Sequence, residues 1–393
     1  MSEALALEEA QARLLALAPL LPLEAVATEA ALGRFIADDV RAARTQPAAD
    51  LSAMDGYALA PGGAPWMLAG ESRAGAPFAG TLAPGQCVRI STGAIVPDGA
   101  DRVLLQEDAT RTGDSIAATD LPPPGRHIRA RGFDFAAGDL LLTRGTRITP
   151  GRLALALAAG HGSLTVTRPV RVAVMDSGDE LAPDPAHCLP HQIPASNAAM
   201  IAAMLAPLGC EITRIGPVPD DAAALAVALA QAEGADILVT SGGASVGDHD
   251  LIKPALTEWG AQIAFWKIAI KPGKPLLVAT RGAQVVLGLP GNPVSSFVTA
   301  FLFALPLVRK ALGDPAPLPQ AVSLTAGEDL PAVGPRREFL RAVSHGEAVS
   351  LAGSQDSSAL SALAEADCLI DRPARAAALA AGEPVRVFKL QNG

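Results

Sequence analysis

The 393-residue chain is poor in aromatics: 4% of residues, with a single Tyr (Tyr57) and three Trp. A base-stacking platform for single-stranded nucleic acid needs more than that. Cations are also short, at 31 Lys and Arg against 40 Asp and Glu, for a net charge of −9. That balance excludes a non-specific binder of nucleic acid or anionic membrane, which would need a basic face. It leaves room for a small anionic ligand held by a few local cations. No apolar run reads as a membrane span. The best candidate, Val294 to Val308, contains Ser295, Ser296 and Thr299 and reads as a buried helix. Four cysteines (Cys87, Cys188, Cys210, Cys368) lie far apart without a C-x-x-C pair, and the expectation is reduced core thiols in a cytoplasmic protein. The acidic start (Glu3, Glu8, Glu9) lacks the basic region of a signal peptide.

Half of the residues are hydrophobic, so a large core is expected. The length predicts about two to four domains. Leu7, Ala10, Leu14 and Leu17 have helical spacing, and a second helix is predicted from Pro22 to Ile36. Between about 46 and 134, short strand-like runs (Cys87–Ser91, Arg102–Gln106) alternate with Gly/Pro/Asp turns, which predicts a β-rich insertion in a helical domain. The expected boundaries are 1–45 and 135–168 for the helical domain and 46–134 for the insertion. From 169 to 315 strands and helices alternate as in a doubly wound α/β sheet, whose ligands bind at the carboxyl ends of its strands. Predicted strands there include Arg171–Met175, Asp236–Thr240, Ile263–Ile270 and Val285–Leu289, with helices opened by Ser196 and by Asp220-Asp221. Residues 316–393 read as a small β domain after a Pro-rich linker.

Four segments carry the chemistry. Ser241-Gly242-Gly243-Ala244-Ser245-Val246-Gly247 follows a buried strand and predicts an anion-binding nest, with Asp248, Asp250 and Lys253 at its rim. Phe265–Pro275 brings Lys267, Lys271 and Lys274 into eight residues, and an even spacing in an extended segment puts Lys267 and Lys271 on one face. Gly288–Ser296, with Pro290, Gly291, Asn292 and Ser295, joins a strand to a helix whose N-terminus suits an anion. Asp50–Ala58 holds Asp55 and the only Tyr, and taken alone it reads as a turn plus an edge strand rather than as a site. His187, Cys188 and His191 lack the second ligand pair of a zinc site, and no G-x-S-x-G elbow appears.

Together these segments resemble the molybdopterin molybdenumtransferase family, the MoeA and gephyrin E-domain type of molybdenum insertase. The matching strings run in order along nearly the whole chain: SAMDGYA (52–58), RISTGAIVP (89–97), Gln106-Glu107, RGFD (131–134), SGDEL (177–181), Ser196-Asn197, Ser241–Gly247, FWKIAIKPGKP (265–275), GLPGNPVS (288–295) and RREFLR (336–341). The resemblance implies a MogA/MoaB-like α/β domain, a helical domain with a β-rich insertion and a C-terminal barrel-like β domain. It implies insertion of molybdate into adenylylated molybdopterin with AMP released, Mg²⁺ as cofactor, and a homodimer whose site lies between subunits. Further partners implied are the upstream molybdopterin adenylyltransferase and acceptor molybdoenzymes. By position, it assigns catalytic roles to Asp55, Thr92, Asp134, Glu180, Asp250, Lys267 and Lys271, with Glu180 and Asp250 as metal ligands. It assigns substrate or cofactor binding to Asp221, Ser241, Gly242, Gly243, Ser245, Gly247, Lys253, Lys274, Pro290, Gly291, Asn292, Ser295 and Arg336. Leu51 stands where the family has Asn, and Phe133 where it has an acidic residue. The alternatives are a molybdopterin adenylyltransferase, which shares only the α/β domain, and a non-catalytic scaffold of the same fold.

Overall fold

The first helix, Leu7–Leu15, turns Leu7, Ala10, Gln11 and Leu14 inward. That face does not stay with its sequence neighbours. It joins the core beneath the α/β sheet, where Gln11 Nε2 donates to Leu302 O at 2.9 Å. The computed structural model describes residues 4–242 and 251–390.

The helix expected over Pro22–Ile36 is instead a strand, Leu23–Ala27, followed by a 3₁₀ turn, Thr28–Ala31. The strand pairs antiparallel with Ser163–Thr167, so its backbone bonds are met by a partner far along the chain (Leu23 opposite Thr167, Ala27 opposite Ser163). Local propensity lost to tertiary pairing here. The helix Pro150–Ala158 begins with its proline in the first turn, where no backbone donor is needed.

The insertion carries a six-stranded sheet in the order Arg102–Leu105, Gly56–Leu59, Gln86–Ile90, Trp66–Ser72, Ser115–Ala118, Ala109–Thr112. The α/β sheet runs Glu211–Val218, Arg171–Ser177, Ile237–Ser241, Gln284–Leu289, Leu277–Arg281, Gln262–Trp266. Its first four strands are parallel, and Leu277–Arg281 runs antiparallel to both of its neighbours, Gln284–Leu289 and Gln262–Trp266. Ile237–Ser241 is buried along its whole length, as a central parallel strand covered on both faces must be. At the C-terminus five strands close on themselves, because Arg337–His345 pairs both with Ala348–Leu351 and with Cys368–Arg372. The result is a small barrel.

The strand predicted over Ile263–Ile270 is two strands. Gln262–Trp266 belongs to the α/β sheet, and Ile270–Lys271 pairs parallel with Arg337 and Glu338 of the barrel. Lys267 between them has φ of +76°. The even spacing of Lys267 and Lys271 therefore does not place them on one face, since the backbone turns at the first of them.

The helix from Pro293 runs without a break to Leu312 through a π segment, Ala300–Ala304. Its 20 residues are long and apolar enough to cross a membrane, but 89% of the apolar window is buried inside the protein. It is the central core helix, as the sequence predicts.

Candidate active site

Three parallel strands end together, at Ser177, Ser241 and Leu289. Beyond them opens a cavity of about 540 Å³ lined by Asp176, Ser177, Glu180, Ser241, Gly242 and Asn292 among others. The loops around it are clamped. Asn197 donates through Nδ2 to Ser241 Oγ (2.9 Å) and to Gly291 O (2.7 Å), tying two strand ends together. Both carboxylate oxygens of Asp176 stand 3.0 Å from the N–H of Ala198 and so cap the helix Asn197–Leu205. The Ser196 side chain, expected to cap it, makes no such bond. Burial pushes the Asp176 carboxyl above the usual aspartate range, and the Ala198 bond opposes that. Gly242 is irreplaceable on steric grounds: its φ is +98° and a Cβ would lie 2.4 Å from Ser177 O.

Ser177 Oγ is buried and has no hydrogen-bond partner among the described residues, yet Ser177 lines this cavity. An orphaned hydroxyl at a ligand-sized opening is a group waiting for a ligand. The Glu180 carboxylate folds back over Gly178, where a Cβ would come within 2.4 Å of Glu180 Oε2. Asp220 nearby has its carboxyl pushed up by burial first and then by the charges of Asp179 and Glu180. Asp221 spends its carboxylate on capping the helix Ala222–Gln231, accepting from Ala224 N at 2.9 Å, and lines neither this cavity nor the next.

A second cavity, about 360 Å³, adjoins the first across a thin seam. Lys271, Lys274, Arg336 and Ser295 line it, as do Glu338 and Ser357. Lys271 Nζ lies 3.1 Å from Glu338 Oε1. Gly273 allows the turn between the two lysines, with φ of +105° and no room for a Cβ, which would sit 2.6 Å from Thr299 Cγ2. The seam is the contact of Asn292 with the barrel: Asn292 Nδ2 donates to Ser357 Oγ at 2.8 Å, and Val294 N donates to Ser357 O at 3.1 Å. One N–H at this helix start is thus already taken. Ser357 faces one cavity and Ser358 the other.

Lys267 and Lys253 do not line either cavity. Their ammonium groups flank the Trp266 ring, 4.2 Å and 4.9 Å from its centre. Asp55, Thr92 and Asp134 lie on the insertion and also line neither cavity of their own chain. Asp55 Oδ1 accepts from Thr92 N (2.6 Å) and Thr92 Oγ1 (2.9 Å). The backbone N–H of Thr92, then its hydroxyl, holds the exposed Asp55 carboxyl below its usual value. Gly243, Ser245, Gly247 and Asp250 lie outside the described residues.

Asp176, Ser177, Asn197 and Ser357 are site residues that sequence reasoning missed. Ser177 and Asn197 fall inside the matching strings, which was the available signal; Ser357 depends on how the barrel docks. Among the described residues, no three His, Cys, Asp or Glu side chains form a ready metal cluster, and His187 pairs instead with Asp184, with Nδ1 2.6 Å from Oδ2. The cysteines are free thiols. Burial pushes Cys87 up to about 11 and Cys210 up to about 12, which disfavours the thiolate at neutral pH.

A molybdopterin-binding α/β domain, flanked by a β-rich insertion and a closed barrel, is the class that this fold and site define. Residues 173–310 match the family described as "Probable molybdopterin binding domain", residues 5–160 the "MoeA N-terminal region (domain I and II)", and residues 323–390 the "MoeA C-terminal region (domain IV)". A molybdopterin molybdenumtransferase of Haemophilus influenzae is 35% identical over 98% of each chain, and one of Bacillus subtilis is 33% identical over 94% of this chain and 90% of that one. A crystal structure titled as a molybdopterin biosynthesis MoeA protein of Pyrococcus horikosii superposes with a TM-score of 0.84 at 29% identity, covering 98% of this chain and 99% of that one. The chain belongs to the molybdopterin molybdenumtransferase family.

Proposed function

We propose that this protein inserts molybdate into adenylylated molybdopterin and releases AMP, as a transferase of molybdenum cofactor biosynthesis. The observation that carries the reading is the pair of adjoining cavities, one lined by Ser241, Gly242 and the carboxylates of Asp176 and Glu180, the other by Lys271, Lys274 and Arg336 with Glu338 and Asp356, which meet at the Asn292–Ser357 contact. The first suits a pterin phosphate and its nucleotide, with Ser177 Oγ as a free donor. The second suits an oxyanion of charge −2, held by Lys271, Lys274 and Arg336. Matches on both sides of the α/β domain favour this reading over an adenylyltransferase, which has no use for residues 5–160.

Among the described residues no ready metal cluster surrounds Glu180. Asp179 and Asp220 lie near it, the Asp220 carboxyl being raised by burial first and then by the charges of Asp179 and Glu180, and a hard dication there would complete its ligands from Asp250 and substrate phosphate. Glu180 and Asp250 would hold Mg²⁺, which when bound neutralises phosphate charge during bond cleavage. Each oxo ligand that leaves molybdate as water takes up two protons. Asp55, held low by Thr92, is a carboxylate at neutral pH and serves as a proton acceptor or anchor rather than as the donor.

The protein acts as a homodimer in the cytoplasm on this reading, receiving substrate from a molybdopterin adenylyltransferase and passing product to acceptor molybdoenzymes. What supports a shared site is that Asp55, Thr92 and Asp134 line neither cavity of their own chain and lie on an insertion that exposes Met54, Ile95 and Phe133. Purified protein supplied with adenylylated molybdopterin and molybdate should release AMP. No AMP with either molybdate or tungstate would overturn the proposal.

A further inference from the structure

A cluster of positive charge lies apart from these cavities, with Arg147 donating to Gly33 O (3.0 Å) and Arg152 to Arg147 O (2.8 Å) and so held in place by backbone carbonyls rather than by acids. A third opening, about 550 Å³, sits where the segment Thr143–Arg147, the C-terminal half of the core helix and the linker 314–320 meet. Arg144, Arg147, Arg152, Arg309 and Lys389 line it, against one carboxylate, Asp314. In a chain whose acids outnumber its Lys and Arg by 40 to 31, that excess is not a random sample of the surface. Among the described residues none of the five cations forms an ion pair.

Arg309 is the centre of the argument. Only 8% of it is exposed. Its Nη1 donates to Pro317 O at 3.3 Å, but its Nη2 is buried with no partner among the described residues. The one nearby acid is engaged elsewhere, since Asp314 Oδ1 accepts from Ala316 N at 2.9 Å. Burial disfavours the charged guanidinium most; Asp314 opposes this, and the like charge of Arg147 adds to it. A lone cation near a helix C-terminus has an ordinary reading as a partner of the helix dipole. That reading does not explain a buried donor left unsatisfied beside four more cations.

We propose that this opening binds a phosphate-bearing small molecule with two or more negative charges. Arg309 supplies the buried donor, and Arg144, Arg147, Arg152 and Lys389 supply the exposed charge. The volume is that of an ordinary small-molecule site. Phe35, Leu208 and Pro315 give it an apolar wall, which fits an organic phosphate ester better than a bare ion. The site shares no lining residue with the two cavities of the proposed reaction. Arg309 lies about 24 Å along the core helix from Pro293, at 1.5 Å per residue.

The test is calorimetric titration of the full-length protein with inorganic pyrophosphate and with ADP, a readout that requires no activity. The wild type should bind both, ADP more tightly. Arg309→Met, which keeps an apolar stem of similar size, should weaken binding at least about tenfold. The exposed double variant Arg144→Gln/Lys389→Gln should do the same and guards against misfolding of Arg309→Met. Lys271→Met, in the neighbouring oxyanion cavity, should leave this binding event in place. Undiminished binding in both the Arg309 and the double variant would overturn the proposal, as would loss confined to Lys271→Met. Pyrophosphate bound as tightly as ADP would overturn the organic-ester assignment.

Discussion

Replacing Lys271 by Met removes one charge from the cavity proposed for the oxyanion. Lys271 Nζ is 3.1 Å from Glu338 Oε1; the lysine side chain is 54% exposed and the glutamate 16%. Two unit charges about 4 Å apart interact by about 4 kcal/mol at an effective dielectric of about 20. Exposure of half the lysine cuts this, and about 1–3 kcal/mol remains, which is about ten- to a hundredfold in affinity. Part of that loss comes from Glu338, which loses its partner and then repels the incoming anion across the same cavity. Glu338→Gln should therefore act in the opposite sense, freeing Lys271 and tightening oxyanion binding. The double variant should recover part of the loss. The assay is the dependence of AMP release on molybdate concentration, with direct titration of molybdate as a second readout. If Lys271→Met leaves the half-saturating molybdate concentration unchanged, or if the two single variants shift it in the same direction, the electrostatic reasoning is wrong.

Gly242→Ala should abolish AMP release and lower the melting temperature, because its Cβ would stand 2.4 Å from the backbone oxygen of Ser177. Asp176→Asn tests the buried carboxyl. Its native pKa is raised by burial, so its contribution to stability is full below the ordinary aspartate value and is lost as pH rises through the native value. Denaturant unfolding from about pH 4 to about pH 8 should show the wild type losing ground to Asp176→Asn as pH rises; parallel profiles would refute this. Chelation with EDTA should stop AMP release and Mg²⁺ should restore it, whereas full activity in EDTA would remove Mg²⁺ from the reading. Asp55→Asn and Asp250→Asn should each be nearly inactive alone. Mixed dimers should regain up to about half the wild-type activity, since a C2 pair then carries one intact site, and activity that stays at the mutant level would place both residues in one chain's site.

Motif strings and strand-to-helix alternation make much of this protein legible from its residues alone. Buried β-branched runs followed by glycine predict strands over Asp236–Thr240 and Val285–Leu289 with site loops at their ends, and the observed central strands, Ile237–Ser241 and Gln284–Leu289, differ by one residue, because those properties are local: side-chain shape, turn chemistry and periodicity. The segment from Pro22 fails for the opposite reason. Leu23–Ala27 is a strand because Ser163–Thr167, distant in sequence, offers it a ladder. The lysine segment shows the same limit. One sheet ends at Trp266, a positive φ at Lys267 turns the chain, and a barrel built from residues much later in the chain captures Ile270–Lys271. Only that capture sets Lys271 beside Glu338 and Arg336, and only barrel docking places Ser357 on Asn292. Likewise, no pattern marks Arg309 as different from any other cation in a last helical turn. Its burial and its unpaired nitrogen arise from three segments closing around it. Sequence alone determined what each segment can do by itself. Tertiary structure decided which charges share a cavity, since non-local pairing has no signature in the spacing of neighbouring residues.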